Sequence, residues 1–410
     1  MHIGGWFMDA VRRLRGGERK ILKAAVLSAA IVLSCGCLMR AYGQEEFKPV
    51  IDFKGSRFAA GYMDSGNDGS FPDGSFQMPD VKLRVNWSVS PDVKVVSRLN
   101  LNNAAFNSVD FLYLEYANMF PAISDAFKDS FFNPTVRLGR FKLDVGEETF
   151  GNNPVEGALV FNSAGIVSGD DEAFMLFQSL PAEKTGIPLK WSLTLSNGNK
   201  GTGADNEQAK ALGLKIGVNP INSLYLSATY YNSGDLGSSG AEVSYSALTA
   251  VPANATEWSR SIMEFDIRYD ISPGKEKRLE PGPPAYSDSK AFFRFGYGIF
   301  DDSGSDKLAP IVDIADRKGK YFFIEGVYNP APKIYTAVRY SFSGFDESSV
   351  FDSINGVTAN SYTRLSFGIG YRLTDNVHVK TEFTMNSEDV PAGAEEPENN
   401  QLSMLFTVKF

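Results

Sequence analysis

The sequence predicts an all-β fold, a transmembrane antiparallel up-and-down β-barrel of sixteen strands. Three observations carry that prediction. Segments of roughly ten residues alternate apolar and polar side chains along most of the chain. Short turns with Pro and Asn alternate with long polar loops. The chain ends QLSMLFTVKF, where Leu402, Met404, Phe406, Val408 and Phe410 share one face. The opposite face of these segments is polar, and a soluble core could not bury it without many partners. The apolar stripe is therefore assigned to hydrocarbon.

Residues 1–43 read as a signal peptide. Arg12, Arg13, Arg15, Arg19, Lys20 and Lys23 precede the apolar run AAVLSAAIVLSCGCLM, and Ala41-Tyr42-Gly43 fits a small-x-small cleavage site before Gln44. The long basic region leaves open whether the start is Met1 or a downstream codon. Both cysteines, Cys35 and Cys37, lie here. A lipoprotein cut is the alternative, but VLSC and SCGC are poor versions of its box. After cleavage, 33 basic and 47 acidic side chains remain, which argues against nucleic acid as a partner. No later run approaches the length of an apolar membrane helix, so a membrane-spanning chain has to close as a barrel.

Strands are expected at 50–63, 82–89, 93–101, 109–117, 134–143, 172–180, 189–196 and 211–218. Eight more follow at 224–231, 260–270, 291–300, 320–328, 333–342, 362–373, 377–385 and 401–410. An even number puts both ends of the barrel on one side. Long polar loops fall at 64–80, 143–171, 199–209, 232–258, 301–319, 344–361 and 386–400, the external side of an outer-membrane barrel. Two links on the turn side, 118–133 and 271–290, are long against that rule, and the first is expected to hold a short helix beginning near Pro121. Outward aromatics gather near the turns (Trp87, Trp191, Tyr269, Tyr371, Phe410), as a headgroup girdle requires. TVRLGRFKLD (135–144) resists the register, because Arg140 and Lys142 share parity with Val136 and Leu138. A lipid-facing cation at the midplane costs about 2–4 kcal/mol. Either a bulge near Gly139 turns the pair inward or it sits at the outer interface.

The final Phe410 on an alternating strand resembles the C-terminal signal of Gram-negative outer-membrane proteins, which assembly machinery reads. RLGRFKLDVGEE (137–148) and LSNGNKGTGADNEQAKALGLKI (195–216) resemble segments of sixteen-stranded porins of the phosphate-selective O and P type. The resemblance implies a homotrimer of diffusion channels in the bacterial outer membrane, in contact with its lipid. It also implies a third external loop folded into the barrel as a constriction. The loop 143–171 is third here too, and the strand after it, EAFMLFQSL, is apolar on both faces, as a covered inner side requires.

A sixteen-stranded lumen is too wide for side chains to fill. Its inner face carries Lys82, Arg84, Lys94, Arg98, Lys190, Lys215, Arg268, Arg294, Arg339, Arg364, Arg372, Lys380 and Lys409. Glu115, Glu264, Asp266, Glu325 and Glu382 oppose them. Rings of basic residues favour anions. Alternatively, these cations pair with loop carboxylates (Asp144, Glu147, Glu148, Glu156) and hold the loop. The expected function is passive passage of small hydrophilic solutes with a mild anion preference, phosphate or another oxyanion being a narrower form. The rival is a structural or adhesive barrel with a plugged lumen and partner-binding external loops.

No enzymatic activity and no cofactor are expected. After cleavage His378 is the sole histidine, near a turn and without a partner serine in the pattern. No Cys/His cluster suits zinc. DSGNDGS (64–70) and DDSGSD (301–306) lack the full spacing of a calcium loop, and GNKGTG (198–203) lacks the phosphate-loop Lys-Ser/Thr ending.

Overall fold

The computed structural model describes residues 47–410 apart from 103–107, 125–126, 128–129, 152, 200–208, 247, 249–250, 252–256, 272–288 and 306–316. The expected signal peptide 1–43, most of the link 271–290, and much of the loops 199–209 and 301–319 lie outside the described residues. Sixteen strands form the ring. They begin with β1 (Arg57–Ser65), β2 (Ser75–Ser88), β3 (Val93–Asn100), β4 (Ser108–Tyr116) and β5 (Thr135–Lys142). Next come β6 (Asp170–Leu180), β7 (Leu189–Ser196), β8 (Ala211–Ile221), β9 (Leu224–Asn232), β10 (Glu257–Ile271) and β11 (Ala291–Ser305). The ring ends with β12 (Arg317–Ala331), β13 (Ile334–Phe345), β14 (Ser361–Thr374), β15 (Val377–Asp389) and β16 (Gln401–Lys409). Consecutive strands pair antiparallel, and β1 pairs with β16 from Arg57↔Lys409 to Ser65↔Gln401, which closes the barrel.

Alternation decides which face each residue takes. On β10, Met263, Phe265, Ile267 and Tyr269 are 42–54% exposed, whereas Glu264, Asp266 and Arg268 between them are 2–4% exposed. The exposed set would be costly in water and is at home in hydrocarbon. Near the turns, Tyr269 lies opposite Phe293, and Ile334 opposite Tyr371, so outward aromatics form the expected girdle.

The first predicted strand, 50–63, is broken in two. Val50–Asp52 pairs with Ser88–Asn86 of β2, then Phe53–Ser56 leaves the ladder, with Gly55 at φ +91°, before β1 resumes. The break has a use. The Gly55 N–H donates to the Phe410 carbonyl at 2.7 Å and the Phe410 N–H to the Ser56 carbonyl at 2.9 Å. The link after β4 holds a one-turn helix, Met119–Ile123, with Pro121 at its third residue. Phe132 from the same link stacks on the outward Trp191 at 5.7 Å.

Candidate functional site

The segment after β5 turns into the barrel instead of outward. Its composition explains why: Leu143 and Val145 pack with Phe141, Ala173 and Met175, which also accounts for β6 being apolar on its inner side. Gly146, at φ +67°, makes the turn, and a Cβ there would strike the Glu264 carboxylate at 2.4 Å.

The loop is held at three stations. At its root, Lys215 of β8 donates from Nζ to Asp144 at 3.0 Å, Glu147 at 2.9 Å and the Gly146 carbonyl at 2.7 Å. The Tyr225 hydroxyl donates to Glu147 at 2.6 Å and the Ser192 hydroxyl to Asp144 at 2.8 Å. Burial alone would raise the Asp144 carboxyl, but Lys215 and Lys190 outweigh it and hold it well below the usual carboxylate range. With a depressed acid, stability is present above the unfolded value and lost only as pH falls through the folded one, so the root stays ionised into strong acid.

Midway, Glu148 accepts the Ser163 N–H at 2.8 Å and faces Arg339 of β13 at 3.5 Å. Arg339 also reaches Glu325 at 3.3 Å and donates to the Phe161 carbonyl. At the tip, Lys380 of β15 donates to the Gly157 carbonyl at 2.7 Å, and Glu382 accepts the Val160 and Phe161 N–H groups. Arg364 of β14 donates to the Asn162 carbonyl at 2.7 Å. Leu159 and Ala158 pack on Phe292, Val327 and Tyr335, while Val155 and Val160 pack on Ala59, Met63 and Leu405. The loop thus reaches across the lumen, its anchors running from β7 round to β16 and β1.

The wall from β1 to β5 keeps solvent on several of its polar side chains, although Arg98, Asp80 and Asn86 are buried. Arg57, Lys82 and Arg137 are 11–20% exposed, against 1% for Arg339 and Lys380. Here Arg57 pairs with Asp80 at 2.6 Å, and Asp110 sits between Lys82 at 3.0 Å and Arg98 at 3.2 Å. Arg137 bonds Glu115 at 2.9 Å and lies over Tyr113. Arg84 donates to the Asn86 side-chain Oδ1 at 2.8 Å and to the Tyr113 hydroxyl at 3.4 Å. Lys94 stands opposite Glu115 in the ladder. Among the described residues, neither Arg84 nor Lys94 has a carboxylate within ion-pair distance. From the loop side, Glu156, about half exposed, faces Arg57 at 3.7 Å.

The inner-face cations therefore divide into two groups. Lys215, Arg339 and Lys380 are buried against the loop, which is the expected alternative in which wall cations hold the loop. Asp144, Glu147 and Glu148 are buried as their partners, and Glu156 alone of the four loop acids is well exposed. Arg268 is bonded to Asp270 at 2.6 Å, Arg294 reaches Glu325 at 3.4 Å, and Arg372 bonds Asn329 at 2.6 Å near a turn. Lys82, Arg84, Lys94 and Arg98 remain on the uncovered wall.

The ambiguity at Gly139 resolves into two fates. Both ladders of β5 pass Gly139 without a slip, Gly139 itself standing at φ +129°. Lys142 turns to the loop and donates to Thr149, while Arg140 pairs with Glu172 at 3.1 Å near the external end. Arg57, Asp80, Asp110 and Arg137 escaped the sequence analysis. Arg137 had parity opposite to Leu138 and could have been found; Asp80 lies where β2 begins seven residues before its clean alternation.

Other motifs take structural places. His378 is buried with its ring edge-on to Tyr335. In DSGNDGS, Ser65 accepts the Phe71 N–H and Asp68 the Glu398 N–H. In DDSGSD, Asp302 is spent on Arg260 and Arg317. Among the described residues no group of three or more His, Cys, Asp or Glu side chains is placed to hold a metal.

No protein-family model and no curated protein sequence matches the chain. Solved structures do. The outer membrane channel DcaP of Acinetobacter baumannii aligns with 90% of this chain and 99% of its own, at a TM-score of 0.60 and 11% identity. OmpT, an outer membrane protein of Vibrio cholerae in its trimer form, covers 89% and 100% at 0.51 and 11%. Salmonella typhi OmpF in complex with daunomycin covers 88% and 97% at 0.51 and 11%. At such identities the likeness is one of fold: an all-β, closed antiparallel barrel, here of sixteen strands.

Proposed function

We propose that this chain is an outer-membrane porin, a passive channel through which small hydrophilic solutes diffuse with a mild preference for anions. It performs no chemical step. The mature barrel is exported on the cleaved segment 1–43 and assembles as a homotrimer, readings that rest on the sequence and on the resemblance stated above. The loop 143–169 sets the size of the passage, and the uncovered wall sets its charge.

One observation carries the anion preference. Among the described residues of this wall, six cations (Arg57, Lys82, Arg84, Lys94, Arg98, Arg137) meet four carboxylates, Asp80, Asp110, Glu115 and, on the short strand before β1, Asp52. Of the other lumen cations, Lys190, Lys215 and Arg339 face loop carboxylates, and Arg268 and Arg294 pair with Asp270 and Glu325 on the wall. A net positive strip in a narrow low-dielectric tube concentrates anions. Glu156 on the loop tempers it, which is why the preference is mild.

The test is the reversal potential of refolded protein in a planar bilayer under a KCl gradient. Wild type should favour chloride, and Arg84→Ala with Lys94→Ala should move the potential toward zero. An unchanged potential would refute the charged strip as its source. Channels that never conduct would support the plugged barrel. Inorganic phosphate should block chloride current only if the narrower phosphate preference holds.

A further inference from the structure

The external loop after β9 bends back over the mouth and pairs with the end of the inserted loop, Ser244↔Ser168 and Tyr245↔Val167. Just before this ladder stands Glu242. Its side chain is 13% exposed, its Oε1 accepts the Asp170 N–H at 3.1 Å, and its own N–H donates to the Gly198 carbonyl at 2.8 Å. Facing it are Asp170, Asp171 and Glu172 from β6, Arg140 from β5 and the Tyr231 phenol from β9. Arg140 is 3.9 Å away and already committed to Glu172 at 3.1 Å. Arg140 thus serves two of the four carboxylates where the two loops meet, while Asp170 lies opposite Lys142 in the ladder and Asp171 accepts the Gly198 N–H at 2.7 Å. One oxygen of Asp170 is buried with no hydrogen-bond partner among the described residues.

Like charges this close do not all ionise without cost, and the relief is a proton on one of them. Burial first, then Asp171 and Asp170, push the Glu242 carboxyl up to about 7 against the pull of the Asp170 N–H and Arg140.

We propose that Glu242 is a proton-operated latch that fixes the segment 241–246 to the end of the inserted loop, tight when protonated and slackened when ionised. Only its consequence for conductance rests on the channel reading; the docking does not. With a raised acid, the folded state binds the extra proton between the unfolded and folded values. The latch is therefore full in the range below an ordinary glutamate and declines as pH rises through about 7.

Hydrogen exchange of the refolded, detergent-held protein tests this, following peptides that cover 160–172 and 240–248 with intrinsic rates corrected. From about pH 5 to about pH 8, wild type should lose about tenfold in protection there. Glu242→Gln should stay protected throughout. Asp170→Asn keeps the N–H donor and removes a neighbouring charge, so its transition should move to lower pH. A wild type without pH dependence, or a Glu242→Gln protein that keeps it, overturns the latch. The exchange pattern in a protein that never conducts would leave the latch standing and defeat the channel reading instead.

Discussion

Asp302 at the external end of β11 is 1% exposed and serves two guanidinium groups. Arg260 reaches its two oxygens at 2.7 Å each, and Arg317 adds 2.8 Å. The Tyr245 hydroxyl donates to it at 3.2 Å, while Arg260 donates onward to the Val243 and Leu248 carbonyls. One carboxylate thus ties the β10–β12 wall to the loop above it. Removing it leaves Arg260 buried without its counter-charge and Arg317 with Asp352 alone, and breaking a buried pair costs about 3–5 kcal/mol. Asp302→Ala should lower the urea unfolding midpoint of the refolded barrel accordingly, and Asp302→Asn, which still accepts hydrogen bonds, should lose less. A loss under about 1 kcal/mol for the alanine variant would mean that water replaces the carboxylate and that the tie is not structural. Arg260 also marks a limit of sequence reading. It shares parity with Glu264, Asp266 and Arg268, and alternation alone cannot separate a cation that lines a bore from one buried under a loop.

The inserted loop obeys the same logic over a longer span. Its tip is docked by backbone acceptors and donors as well as by charge: Lys380 takes the Val155 and Gly157 carbonyls, and Glu382 takes two N–H groups. A lysine and a glutamate two residues apart on one strand thus satisfy a segment that has no ladder of its own. Lys380→Met with Glu382→Gln should free the tip, raising single-channel conductance and admitting larger neutral sugars in liposome swelling, with the barrel's circular dichroism unchanged. Unaltered conductance and an unaltered size cut-off would mean that the apolar contacts of Leu159 and Val160 hold the tip without them. At this scale the strands were legible because a period of two survives in any single sequence. The loop's position was expected too, from its length, from its place as third external loop that the resemblance implies, and from the two-sided β6. What stayed hidden was which wall the loop touches: that depends on through-space pairing of Asp144, Glu147 and Glu148 with residues far along the chain, and spacing does not encode it. The same blindness split the thirteen expected wall cations into tethers and open charges only once the fold was in hand.

Over the whole barrel, stability depends on the ring having no free edge, since each unpaired strand in hydrocarbon would expose a row of polar backbone groups. Fifteen of the sixteen seams join neighbours in sequence, and their loops fix the register. The seam between β1 and β16 joins the two ends of the barrel and has no loop to set it. Its register therefore falls to the strands themselves and to the clasp at their turn-side end, where Gly55 and Ser56 leave the ladder and exchange two hydrogen bonds with Phe410. The Phe410 ring stands 66% exposed on the lipid side, so ring and backbone can be tested apart. Deleting Phe410 removes both hydrogen bonds, worth about 1–3 kcal/mol together, and should lower the temperature at which the refolded barrel loses its compact mobility in SDS gels. Phe410→Ala keeps the bonds and should melt closer to wild type in vitro. If the two variants melt alike, the aromatic ring in the headgroup girdle, and not the backbone clasp, holds the seam; if neither shifts, the ladder from Arg57 to Ser65 closes the barrel unaided.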